Sequence, residues 1–304
     1  MNINQVSFVF FCFLIIENIL AKEPLRFRSD GTFQIMQLTD LHYGGYFPND
    51  IKSDLAQETY FQTEGLNTDF VVFSGDLLAV YAEVPMIGWE RAVYFANFYQ
   101  KKYSVVFGNH DYAGFYSPEN TFIELDMKHE YSYSQKGPEN IHGVSNYYLE
   151  VLGSNSNETK LILYFFDTGV FDCEGVLGWS CVYPDQIECE VCYGVKGENV
   201  GCWSKNTGLY QTFLEQGDVY GVFVGHDHEN DFIGNYNGIY LAYGRKSGFG
   251  SYQPKLPKVQ GTRIIRVEEN LREIQTYIRN KDGEIETQEI HYPNSNEIQN
   301  ICPN

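Results

Sequence analysis

The 304-residue chain carries 21 Lys and Arg against 40 Asp and Glu, a formal net charge of −19. With 43% hydrophobic and 20% charged residues the composition is globular, and the length suffices for one large core. The acidic balance excludes a nucleic-acid or anionic-membrane partner, because no basic stripe is present and the pair Arg245-Lys246 is too short to make one.

Residues 6–16 are an uninterrupted apolar run with one Ser, ended by Glu17-Asn18. A membrane span needs about 20 residues, so the run reads as the apolar region of a secretory signal, with cleavage after Ala21. A core helix is the rival reading, but a segment apolar on every face at the N-terminus fits it poorly. The expected location is secreted or an endomembrane or vacuolar lumen, with no membrane attachment after cleavage. Removing Cys12 with the signal leaves Cys173, Cys181, Cys189, Cys192, Cys202 and Cys302. An even number in an exported chain reads as disulfides of open pairing; Cys189 and Cys192 alone are half a zinc site with no second half nearby.

Residues 33–38 alternate as a strand and run into Thr39-Asp40-Leu41-His42. A helix is expected over 51–64, then a buried strand over 70–73 that ends in Ser74-Gly75-Asp76. A second helix over 89–100 leads to a strand at 105–107 that delivers Gly108-Asn109-His110-Asp111. The middle continues with a helix over 120–128 and strands at 147–152 and 161–166. Between these strands, the polar run 153–160 forms a hairpin loop carrying the sequon of Asn157. Residues 171–204 are irregular by pattern. A short helix over 207–215 precedes a strand at 219–224 that ends in Gly225-His226-Asp227-His228. Strands at 239–242, 262–267 and 274–278 follow, with a hairpin turn at Asp282-Gly283. Strands alternating with helices, each strand ending in polar residues, define an α/β fold with its ligands at the carboxyl edge of a sheet. One domain spans about 30–292, and 293–304 form a tail.

Four strand ends thus supply Asp40, His42, Asp76, Asn109, His110, His226 and His228. A lone buried His is more often a satisfied core residue than a ligand; this many carboxylates and imidazoles at strand ends are not core. Oxygen and imidazole donors without thiolate suit Zn, Fe or Mn rather than Ca or Mg.

These motifs, in this order, resemble those of the calcineurin-like metallophosphoesterases. The stretches 225–232 and 243–250 resemble the purple acid phosphatase 29-like group. The resemblance implies an αββα sandwich and hydrolysis of a phosphate ester, small or protein-borne, by a metal-activated water. It implies two metal ions bridged by Asp76, the first completed by Asp40, His42 and His228, the second by Asn109 and His226. His110 would act on the phosphoryl group or the leaving group, oriented by a carboxylate such as Asp111, and Arg245 would supply positive charge to the substrate. No purple colour is expected, since Ala79 stands where the coloured enzymes have a Tyr. The family has one more ligand His on a central strand, yet this chain has no His between His142 and His226. A missing strand would leave two neighbours short of backbone partners. His129 and His142 are the spare candidates. The rival function is a catalytically dead member that keeps one metal site and serves as a binding protein.

Overall fold

The computed structural model describes residues 22–112, 119–169, 191–200, 208–255, 259–271, 273–287 and 290–291. The apolar run 6–16 expected to be a signal, the tail 293–304 and every cysteine except Cys192 lie outside them. The chain begins with β1 (Leu25–Arg26) and β2 (Thr32–Leu38), followed by α1 (Phe47–Glu64), β3 (Phe70–Ser74), α2 (Pro85–Phe98) and β4 (Tyr103–Val106). After a 3-10 turn at Asn109–Tyr112 come α3 (Glu119–Asp126) and the hairpin β5 (Tyr147–Leu152) and β6 (Thr159–Phe165). Next are β7 (Val191–Tyr193), α4 (Leu209–Gln216), β8 (Gly221–Val224), β9 (Ile233–Tyr236) and β10 (Ile239–Tyr243). The last strands are β11 (Gly261–Glu268), β12 (Ile274–Asn280), β13 (Ile285–Glu286) and β14 (Ile290–His291).

Six strands in the order β13-β12-β11-β2-β3-β4 make the main sheet. Strands β2, β3 and β4 are parallel and joined through α1 and α2, so all three point their carboxyl ends the same way. Side chains alternate across this sheet as the period of two requires. Met36, Leu38, Val71, Phe73 and Val105 pack with Tyr60, Phe61, Trp89 and Phe122 of the helices. Phe33, Ile35, Phe70, Ile265 and Val267 face the other way, onto Leu149, Val151, Leu161 and Phe165. Burying one such large apolar side chain contributes about 1.5–3 kcal/mol, so both faces hold the sheet. Helix α4 covers the far side of β10 through Phe213 and Leu241. The layers are therefore helix, sheet, sheet, helix.

Helices α1 and α2 each begin four residues before the sequence pattern places them. Pro48 lies in the first turn of α1 and Pro85 opens α2; proline is tolerated there because the first helical N–H groups have no partner. Strand β9 is absent from the sequence reading because Gly234 and Asn235 interrupt its apolar pattern. Asn157 sits exposed in the β5–β6 loop, with its side-chain oxygen accepting from Arg26 (2.8 Å).

The second layer is split. Among the described residues it consists of two separate sheets, β1-β5-β6 and β14-β7-β9-β10-β8. Among the described residues β6 pairs only with β5 and β8 only with β10. All four residues of β8 are half-buried, whereas β10 beside it is mostly buried. Both small sheets back onto one apolar cluster, to which β6 gives Leu161 and Phe165 and β8 gives Phe223. Among the described residues no strand joins β6 to β8.

Candidate functional site

The polar residues at the ends of β2, β3, β4 and β8 meet at one edge of the main sheet. Asp40 N donates to Gly75 O (3.1 Å) and His42 N to Asp76 O (2.9 Å), which ties the first two loops together. Asp40, His42, Asp76 and His226 all have left-handed backbones, with φ of 54°, 53°, 54° and 81°. For residues other than glycine each costs on the order of 1–3 kcal/mol, a cost typical of functional sites. Gly225 is required by contact: a Cβ there would overlap Thr39 Oγ1 and crowd the Asp40 carboxylate.

Asp40, His42 and His228 form one compact ligand group, all buried. His42 Nε2 lies 3.0 Å from His228 Nε2, 3.9 Å from Asp40 Oδ1 and 3.8 Å from Asp76 Oδ2; His228 Nε2 lies 3.6 Å from Asp40 Oδ1. His42 Nε2 is thus approached by His228 Nε2 and by one carboxylate oxygen each of Asp40 and Asp76. That is an arrangement a cation satisfies, and its chemistry fits Zn, Fe or Mn. Asn109 Oδ1 and His226 Nδ1 meet at 3.1 Å beside this group. Among the described residues no third His, Cys, Asp or Glu joins His226 in a compact set. His129 pairs with Glu90 (3.3 Å) and His142 lies on an exposed loop, so neither completes it.

His110 stands over the edge of the His42 ring, with centroids 4.7 Å apart. One of its ring nitrogens belongs to a compact group with His42 and Asp76. Its Nδ1 is buried and, among the described residues, has no hydrogen-bond partner. Asp111 therefore does not orient it: Asp111 accepts from Leu78 N and Gly108 N, both at 2.9 Å, and so braces the loops after β3 and β4. Arg245 is likewise engaged elsewhere. It is buried, donating to Asp231 (2.6 Å), Val259 O (2.9 Å) and Glu286 (2.8 Å), which leaves its guanidinium to the fold rather than to a substrate. The cation that does face the site is the buried Lys246, whose Nζ donates to Asp40 O (2.8 Å). Its only sequence signal is a basic pair set between glycines directly after a strand, where a solvated charge would have no reason to be regular. Tyr252, stacked on His228 with centroids 3.9 Å apart, carries no such signal.

Burial pushes Asp40 up, but His228, His42 and Lys246 outweigh it and hold the carboxyl below the usual range. Burial and the Asp40 charge push Asp76 up to about 7. Burial lowers Lys246 to about 8 against the pull of Asp40 and Asp76, and lowers His110 to about 4. Without metal, the raised Asp76 stabilises the fold fully below its ordinary value of 3.8 and loses that contribution as the pH climbs through about 7. A cation must displace that proton, so zinc affinity is expected to rise about tenfold per pH unit across this window. The shift of the thermal midpoint on adding zinc, measured at pH 5 and pH 7.5, checks this; an equal shift at both would contradict it.

Residues 33–230 match the calcineurin-like phosphoesterase family model. The chain belongs to that family. Among curated proteins it is 26% identical over 298 residues to "Probable inactive purple acid phosphatase 28" of Arabidopsis thaliana, covering 75% of this chain and 74% of the relative. It is 24% identical to "Probable inactive purple acid phosphatase 29" of the same plant, covering 76% of each. Among solved structures, the purple acid phosphatase PPD1 from yellow lupin (Lupinus luteus) superposes with a TM-score of 0.46 at 12% identity, covering 91% of this chain and 57% of that one. A dimetal phosphatase from Danio rerio does so at 0.41 and 11% identity, covering 80% and 98%.

Proposed function

We propose that the chain is a metal-dependent phosphoesterase with one strong and one weak metal site. The compact group of Asp40, His42 and His228, with Asp76 Oδ2 3.8 Å from His42 Nε2, carries this reading. A metal held by these four supplies Lewis-acid polarisation of a phosphoryl oxygen and acidifies water. Asn109, His226 and the shared Asp76 would hold the second metal with three protein groups. His110, neutral at pH 7 because burial lowers it, presents one N–H to a phosphoryl oxygen or to the leaving group. Of the nearby cationic side chains, Arg245 is engaged in ion pairs and Lys246 donates to a backbone carbonyl, so metal would provide the attraction for phosphate.

The expected result is close to one tightly held metal per chain after dialysis, with slow hydrolysis of an aryl phosphate that rises on adding Mn or Zn. Metal analysis and turnover on the same sample test it, and two equally tight metals would overturn the unequal assignment. The second reading, a binding protein with one metal and no turnover, is favoured by the three-group second site and by relatives named as probably inactive. Metal retention with no hydrolysis at saturating Mn or Zn would select it. For location, no helix among the described residues is long and apolar enough to cross a membrane. The apolar run 6–16 supports export to a secreted or endomembrane compartment, with glycosylation at Asn157.

A further inference from the structure

The segment after β10 follows the ligand loop of Asp40 and His42 from behind. Lys246 bridges Thr39 in parallel, Ser247 N donates to Thr39 O (2.9 Å), and Thr39 N donates to Ser247 Oγ (3.1 Å). Gly250 packs so closely on His42 that a Cβ would overlap the His42 carbonyl oxygen. The segment then reaches the other side of the site at Tyr252. The Tyr252 ring lies nearly parallel to the His228 imidazole, at 20° and 3.9 Å between centroids. Its carbonyl oxygen lies 2.9 Å from His228 Nδ1, and its hydroxyl accepts from His228 N (3.3 Å). That hydroxyl donates to Glu198 Oε1 (2.9 Å), which also accepts from Glu229 N (2.8 Å).

A carbonyl oxygen is an acceptor only, so the proton of neutral His228 belongs on Nδ1. The lone pair then lies on Nε2, the atom aimed at Asp40 and His42. A ring stacked on one face removes the remaining freedom of the imidazole to turn. Outer partners of this kind typically change metal affinity by about 10–100-fold.

We propose that Tyr252 is the positioning residue of His228, fixing its tautomer through the backbone and its ring plane through the side chain. The proposal rests on reading Asp40, His42, Asp76 and His228 as a metal site. It is tested on the full chain by zinc competition against a chromophoric chelator, with the thermal midpoint of the metal-free protein measured in parallel. Tyr252→Ala should bind zinc about 10–100-fold more weakly, Tyr252→Phe should bind it like the parent, and neither should move the metal-free midpoint. Zinc binding by Tyr252→Ala equal to the parent's overturns the proposal. So does a metal-free midpoint that falls together with affinity, which would mark a structural role only. Nitrogen NMR of the metal-free parent adds a check that needs no variant: an Nδ1-protonated His228 supports the assignment, and an Nε2-protonated one refutes it. A parent chain that binds no zinc would instead sink the metal-site reading itself.

Discussion

Asp76→Ala is expected to leave the purified chain without metal. Asp76 Oδ2 faces His42 Nε2, while Oδ1 accepts from His110 N (2.8 Å), so this carboxylate lies between the two sets of ligands. Losing a partner outside the ligand shell costs about 10–100-fold in affinity; losing a shared ligand must cost more, and dialysis removes what remains. The fold itself should not suffer in proportion. Burial and the neighbouring Asp40 make the charged Asp76 unfavourable near pH 7 unless a cation is present. The metal-free variant is therefore expected to melt at or above the metal-free parent at pH 8. Metal analysis after dialysis and paired melts with a chelator check both halves. A variant that retains the parent's metal would rule the site out.

His110→Ala is expected to lower turnover by roughly 10²–10⁴-fold with metal content unchanged. The orphaned Nδ1 and the edge contact with His42 place the ring within the site, yet no neighbour uses that nitrogen. A buried ring nitrogen left without a partner is costly unless something outside the chain completes it, and a phosphate ester would. Because one His110 nitrogen also lies near His42 and Asp76, the alternative is a ligand role. Loss of metal from the variant would establish that alternative and refute the assignment of His110 to the phosphoryl group.

The strand ends were legible because buried runs such as residues 70–73 break abruptly into Gly-Asp or Gly-Asn-His, and only a site explains that pattern. The order of β2, α1, β3, α2 and β4 followed from the same alternation. Asp111 and Arg245 were misread for a common reason. Sequence marks a charged residue beside a motif, but its partner is set by tertiary contact: Leu78 N and Gly108 N for Asp111, Asp231 and Glu286 for Arg245. Tyr252 was invisible because 24 residues separate it from His228, and nothing local constrains a stacked ring. The absence of a His between His142 and His226 was legible in the sequence, and within that stretch residues 170–190 lie outside the described ones.

Among the described residues β6 has a partner on one side, β5, and this bears on how the protein behaves in company. A strand paired on one side presents a row of backbone donors and acceptors to any other chain. Strand β6 reads Thr-Lys-Leu-Ile-Leu-Tyr-Phe: rich in β-formers, free of proline and guarded by the single charge of Lys160. Ile162 and Tyr164 on its outer face, with Tyr148 beside them, are solvent-exposed. When the chain loosens, this ribbon is the natural seed for intermolecular β-assembly, and the acidic surface that keeps copies apart is the main counterweight. Salt, which screens that repulsion, turns this apolar ribbon into a route to precipitation.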